Sequence, residues 1–214
     1  MKIIQDFVPR DMYGIKCPYP MTPTRIVIHN TENDASAANE AAYMKRNGKA
    51  VSFHYAVDDT EARQLIPVDR NAWHAGDGEN GTGNRQGIAI EICYSKSGGA
   101  RFERAEDNAA RLTAQLLTVF GWSMDRVTKH RDYSGKYCPH RTLDMGWERF
   151  LRKVERYMAA FKDIEGHWAQ KHIDKLAKYG IVNGDGTGNF NPDKPVTRAE
   201  AAVMVANALT YIGR

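Results

Sequence analysis

The sequence has no run of about 18 apolar residues, so no helix in it is expected to cross a membrane. The opening MKIIQDFVPRDMYG has one early lysine but neither an apolar core nor a small-residue cleavage site, so no secretory signal is read there. The expectation is a chain made in the cytoplasm that reaches its place of action by another route. Cysteine is scarce. Three residues, Cys17, Cys93 and Cys138, exclude a full disulfide framework and leave one bridge plus one thiol as the most that is available. Like-charged runs are also missing. The 30 Lys and Arg and 26 Asp and Glu are spread evenly, so nothing resembles a nucleic-acid arm, and the mildly basic balance is only a weak pull toward anionic partners. No internal repeat is found.

What is present is ordinary for a globular protein: 42% hydrophobic and 26% charged over 214 residues, enough for one or two domains. RIVIHN (25–30) is a β-branched apolar run and predicts a buried strand with His29 near its end. VSFHYAVDD (51–59) predicts a second strand and LIPVD (65–69) a third. GIAIEIC (87–93) predicts a strand with Ile88, Ile90 and Ile92 on one face and Ala89, Glu91 and Cys93 on the other. A carboxylate on so apolar a strand needs a reason, because an unpaired buried charge is costly.

Helices are expected over 36–47, 103–120 (with Ala109, Leu112, Leu116 and Val119 as its stripe) and 143–157 (with Trp147, Phe150, Leu151 and Val154 inward). The Gly- and Asn-rich stretch 71–86 reads as a long loop. Strands alternating with helices indicate an α/β sheet covered by helices, with ligands near the strand ends.

From about residue 160 the pattern changes to a helix–loop–helix: a short helix over 167–179 with Trp168, Ile173, Leu176 and Ala177 on its apolar side, a loop over 183–195, and a capping box of Thr197 and Glu200 opening the last helix. About 50 residues are marginal for independent stability.

The densest chemistry is HRDYSGKYCPHR (130–141). His130 and Cys138 are types that zinc accepts, the turn-like SGKY between them brings them toward one point, and His29 is the best third donor. His54, His74 and His140 compete, and spacing alone leaves the choice open.

RIVIHN, VSFHYAVDD, NAWHAGDG, GIAIEIC and VTKHRDYSGKYCPHR, in this order, resemble the zinc-dependent N-acetylmuramoyl-L-alanine amidases, a family related to peptidoglycan recognition proteins, and above all the endolysins of bacillus phages. The resemblance implies a mixed central sheet flanked by helices over residues 1–159. It implies one zinc ion per chain on His29, His130 and Cys138, with Glu91 as acid and base and Lys136 steadying the oxyanion. The implied substrate is the amide joining N-acetylmuramic acid to L-alanine in bacterial peptidoglycan. Members often carry a tyrosine where this chain has Phe53, so no hydroxyl role is carried over there.

Asn30, His74 and Asn84 are weaker candidates for lining a substrate groove. Residues 160–214 resemble a single S-layer homology motif through FKD, HWA, GIVNGDGTGNFNP and VTRAE. This implies attachment to secondary wall polysaccharide, with Arg198 facing an acidic group. The competing reading is a noncatalytic peptidoglycan-binding or wall-docking protein; Cys138 argues against it, since recognition proteins of that kind generally lack the cysteine.

Overall fold

The computed structural model describes residues 1–158, 160–185 and 187–212. They form two compact units, Met1–Val154 and Glu155–Arg214. The junction expected at 159/160 falls beside Ala159, which lies outside the described residues, as does Gly186 in the expected loop over 183–195.

The first unit is built on six strands: β1 (Lys2–Gln5), β2 (Arg25–Asn30), β3 (Tyr55–Val57), β4 (Glu61–Gln64), β5 (Gly87–Ile92) and β6 (Val127–Lys129). Their order is β1-β4-β3-β5-β2-β6, and every neighbouring pair is parallel except the antiparallel β3 and β4. Helical segments join them: α1 (Tyr13–Lys16), α2 (Ala37–Arg46), α3 (Thr82–Gln86), α4 (Gly99–Phe120), α5 (Arg131–Ser134), α6 (His140–Asp144) and α7 (Trp147–Met158).

The middle of the sheet is dry. Ile26, Val27 and Ile28 of β2 and Ile88, Ala89 and Ile90 of β5 are fully buried. Strands enclosed on both faces read as continuous apolar runs, which is what these two are. Ser36 caps α2 by accepting the Asn39 N–H at 3.3 Å. The 22-residue α4 buries Phe102, Ala105, Ala109, Leu112 and Leu116, and Gly121 closes it in the left-handed conformation. Glu106 lies on that same buried face. Its fully buried carboxylate receives Arg149 at 2.7 and 2.5 Å and Lys153 at 2.9 Å, which pins α7 to α4.

Several expectations are corrected. The second strand is only Tyr55–Val57 and the third is Glu61–Gln64, not 65–69. Strand β1 was not expected, and the 71–86 loop ends in α3. The 143–157 helix is split into α6 and α7 at Gly146, whose φ of +103° suits no side-chain-bearing residue. Val119 is 77% exposed, outside the buried stripe of α4, and Trp147 and Leu151 are only half-buried beside Phe150 and Val154.

The second unit holds α8 (Gln170–Lys178) and α9 (Arg198–Ile212). Its small core contains Ile164, Ile173 and Val182, with Phe161 against Phe190 at 5.2 Å and Tyr179 stacked on Tyr211 at 4.5 Å. Trp168, expected to face inward, is 86% exposed. The capping box forms: Thr197 Oγ1 accepts the Glu200 N–H at 3.1 Å and Glu200 accepts the Thr197 N–H at 2.7 Å. The loop before it is organised by Asp163, which accepts the Phe190 and Asn191 N–H groups, and by Asp185, which accepts from Thr187 and Asn191.

Candidate metal centre and active site

Three parallel strands end together. His29 of β2 lies beside Glu91 of β5 in exact Cα register, so both side chains share a face. The His130 N–H continues the β2–β6 ladder onto the Ile28 carbonyl at 3.3 Å. The chain then turns through α5 and closes on itself where the Arg131 N–H meets the Cys138 carbonyl at 3.0 Å, which carries the thiol back over His29.

The side chains converge. His29 Nδ1 lies 3.1 Å from His130 Nδ1, 3.9 Å from Cys138 Sγ and 3.9 Å from Glu91 Oε1. The three donors His29, His130 and Cys138 all fall within 4.8 Å of one another, and all three residues are buried. A tetrahedral zinc ion with bonds of about 2.0–2.3 Å separates its donors by roughly 3.3–3.6 Å, so the set fits such an ion with small adjustments. A hydrogen bond between the two imidazoles accounts for the 3.1 Å contact alone. It does not account for a thiol and a carboxylate brought to the same nitrogen.

Electrostatics points the same way. Burial, then His74, His130 and Lys136, holds His29 well below the usual histidine range, and burial followed by Lys136 lowers His130. Both imidazoles are therefore neutral, the form that binds metals. Burial and the nearby Glu91 push the Cys138 thiol up to about 12. Burial, with Glu40 adding to it and Lys136 opposing, pushes the Glu91 carboxyl up to about 8. Glu91 Oε2 is buried with no hydrogen-bond partner. A thiol and a carboxylate held this way are groups that a cation would stabilise in their charged forms.

These residues line a cleft of about 800 Å³, together with Val51, Trp73 and Lys136. Lys136 is half-exposed at the rim and pairs with Glu32 at 3.5 Å. Among the described residues no arginine pairs with Glu91; its carboxylate stands 3.9 Å from His29 Nδ1.

The weaker candidates Asn30, His74 and Asn84 also line this cleft, and each makes hydrogen bonds within the chain. Asn30 donates to the His29 carbonyl and to Thr142 Oγ1, and accepts the Thr142 N–H, strapping α6 to the end of β2. Asn84 accepts the N–H groups of His74 and Ala75, both at 2.8 Å, and donates to the Gly78 carbonyl. Asp77 accepts from Gly83 and Asn84, and its carboxylate approaches Gly81 so closely that a Cβ there would overlap it. His74 sets its Nδ1 3.0 Å from His29 Nε2.

Among the competing histidines, His54 bridges backbone: its Nδ1 accepts the Ala89 N–H at 3.0 Å and its Nε2 donates to the Arg70 carbonyl at 2.9 Å. His140 points at the Ser95 carbonyl, 3.2 Å away. All three cysteines are free.

One residue beside the cleft had no signal in the sequence. Lys16, in the polar-looking YGIK, is fully buried and donates to Asn47 Oδ1 and to the Lys49 and Val51 carbonyls. It fixes the segment that forms one wall of the cleft.

Residues 19–141 match the N-acetylmuramoyl-L-alanine amidase family model, and residues 160–202 match the S-layer homology domain model. The N-acetylmuramoyl-L-alanine amidase CwlA of Bacillus subtilis (strain 168) is 46% identical over 99% of this chain and 80% of its own length. The chain belongs to the N-acetylmuramoyl-L-alanine amidase family. The amidase XlyB of the same organism is 54% identical over 85% of this chain, which spans 56% of XlyB. The solved structure of PlyL is 52% identical and superposes with a TM-score of 0.70 over 72% of this chain and 97% of PlyL. The mixed six-stranded sheet with its flanking helices is thus the fold of this hydrolase family, and an S-layer homology segment follows it. Among the described residues, no helix is long and apolar enough to cross a membrane.

Proposed function

We propose that this amidase holds one zinc ion on His29 Nδ1, His130 Nδ1 and Cys138 Sγ and hydrolyses the amide between N-acetylmuramic acid and L-alanine in bacterial peptidoglycan. The observation that carries the reading is the convergence of these three buried donors beside Glu91 at the end of the sheet.

Zinc bound there supplies Lewis acidity, lowering the pKa of water toward neutrality and polarising a carbonyl. The chain's own groups do the rest. Glu91 takes a proton from the attacking water as its oxygen bonds to the carbonyl carbon. The same carboxyl then delivers that proton to the amine as the carbon–nitrogen bond breaks. Lys136, at the rim and already electrostatically coupled to Glu91, offsets the negative charge that grows on the carbonyl oxygen. Burial of the donors keeps competing water away from the imidazoles.

In this reading residues 1–159 are the catalytic domain. Residues 160–214 bind secondary wall polysaccharide, with the exposed Arg198 at the start of α9 meeting an anionic group. The protein acts at the bacterial wall, with no nucleic-acid partner and no membrane insertion.

The test is mass analysis of peptidoglycan digested by the full chain, alongside measurement of bound metal. Free lactyl carboxylates with new L-alanine amines are expected, with one zinc per chain. Cleavage of any other bond rejects the reading.

A further inference from the structure

The two nitrogens of His29 face different neighbours. Nδ1 faces His130, Cys138 and Glu91. Nε2 faces His74 Nδ1 at 3.0 Å, the two rings standing edge to face at 88°. If Nδ1 is the ligand atom, its lone pair is free and the ring's proton sits on Nε2. That proton has one direction to go, into His74 Nδ1. His74 must then be bare at Nδ1 and protonated at Nε2. No donor claims its other nitrogen: His74 Nε2 is buried and has no hydrogen-bond partner among the described residues.

We propose that His74 is a positioning residue that fixes the tautomer and ring orientation of His29, by accepting the His29 Nε2 proton, so that Nδ1 is presented to the metal. The inference rests on the zinc reading above. A metal-bound histidine commonly gives its other N–H to a carboxylate, a carbonyl or water. Here the acceptor is a second imidazole, which orients the ligand without adding negative charge to the site.

His74 is itself aimed. Its own N–H, and that of Ala75, are held by Asn84 Oδ1, and Asn84 is held by Asp77 and the Gly78 carbonyl. The relay therefore runs from the loop over 76–84 through Asn84 and His74 to His29. This gives His74 and Asn84 a task other than contacting substrate.

The experiment compares His74→Asn with His74→Gln in the full chain. An asparagine oxygen occupies the place of Nδ1 and still accepts the proton. A glutamine places its amide where Nε2 was and offers nothing at Nδ1. Zinc affinity is read by competition with a chromophoric chelator, and site geometry by the visible and thiolate charge-transfer absorption of the cobalt-loaded protein. Thermal unfolding of the metal-free variants checks that both fold.

The expected result is zinc affinity within roughly threefold of wild type for asparagine and a loss of about 10–100-fold for glutamine, with an altered cobalt spectrum. Equal affinities and spectra in the two variants overturn the role of His74 while leaving the zinc site standing. If the wild-type chain takes up no zinc, or if Cys138→Ser takes it up as tightly, the zinc reading falls and this inference falls with it.

Discussion

His29 and Glu91 stand opposite each other on neighbouring parallel strands and meet side chain to side chain at 3.9 Å. A base beside a ligand is what a metal-assisted hydrolase needs, and the sheet sets their spacing through backbone register. Glu91→Gln keeps the shape and removes the proposed base. Wall lysis is expected to fall by about 10²–10⁴-fold with zinc content and melting temperature not reduced. Dye release from purified walls measures it, and full activity in the variant would remove Glu91 from the chemistry.

Cys138→Ser replaces the proposed sulfur donor with a hydroxyl that does not ionise at neutral pH. Bound zinc, measured by atomic emission after dialysis, is expected to drop well below one per chain, and lysis to drop with it. Retention of a full equivalent of metal would contradict the assigned donor set.

Glu106 is fully buried beneath Arg149 and Lys153, which are 28% and 19% exposed. Replacing both cations with methionine strands the carboxylate. A loss of about 3–5 kcal/mol is expected in urea unfolding. Glu106→Gln should cost less, because the two cations can turn to water.

His54 gives a pH signature. Burial, only partly opposed by its bond to the Arg70 carbonyl, lowers it to about 4. The unfolded chain, near 6.5, binds the proton first, so stability contributed by the neutral ring is full above pH 6.5 and is lost as pH falls toward 4. The contribution of this one group is about 3 kcal/mol over that window. Imidazole carbon resonances of the folded protein should show His54 neutral down to about pH 4. A titration near 6.5 would refute the assignment.

Arg198→Gln removes the cation proposed to meet wall polymer. Co-sedimentation with cell walls is expected to weaken severalfold, while cleavage of soluble muropeptide stays unchanged. Undiminished binding would assign attachment to other residues.

The centre of this protein was readable because it is dry. RIVIHN and GIAIEIC have no choice but to be buried strands, and they carry His29 and Glu91 with them. The edges were not readable. EARQ of β4 has a strand's position and none of its composition; pairing with β1 on one side and β3 on the other imposes it. VSFHYAVDD was expected to be a strand throughout, but the Ala89 N–H next to it is taken by the His54 ring, so regular pairing starts only at Tyr55. The partnership of His74 with His29 had no trace in the sequence either, because 45 residues separate the pair and a loop held by Asn84 joins them.

His29 and Glu91 come from two strands, His130 from the residue after β6 and Cys138 from the turn after α5, a spread of more than a hundred residues. No shorter piece of the chain holds them all. During synthesis His29 emerges long before Cys138, and the group cannot assemble until residue 138 has left the ribosome and its loop has docked at the end of β2. A piece of the chain that stops short of residue 138 therefore lacks the assembled group, however well its sheet folds.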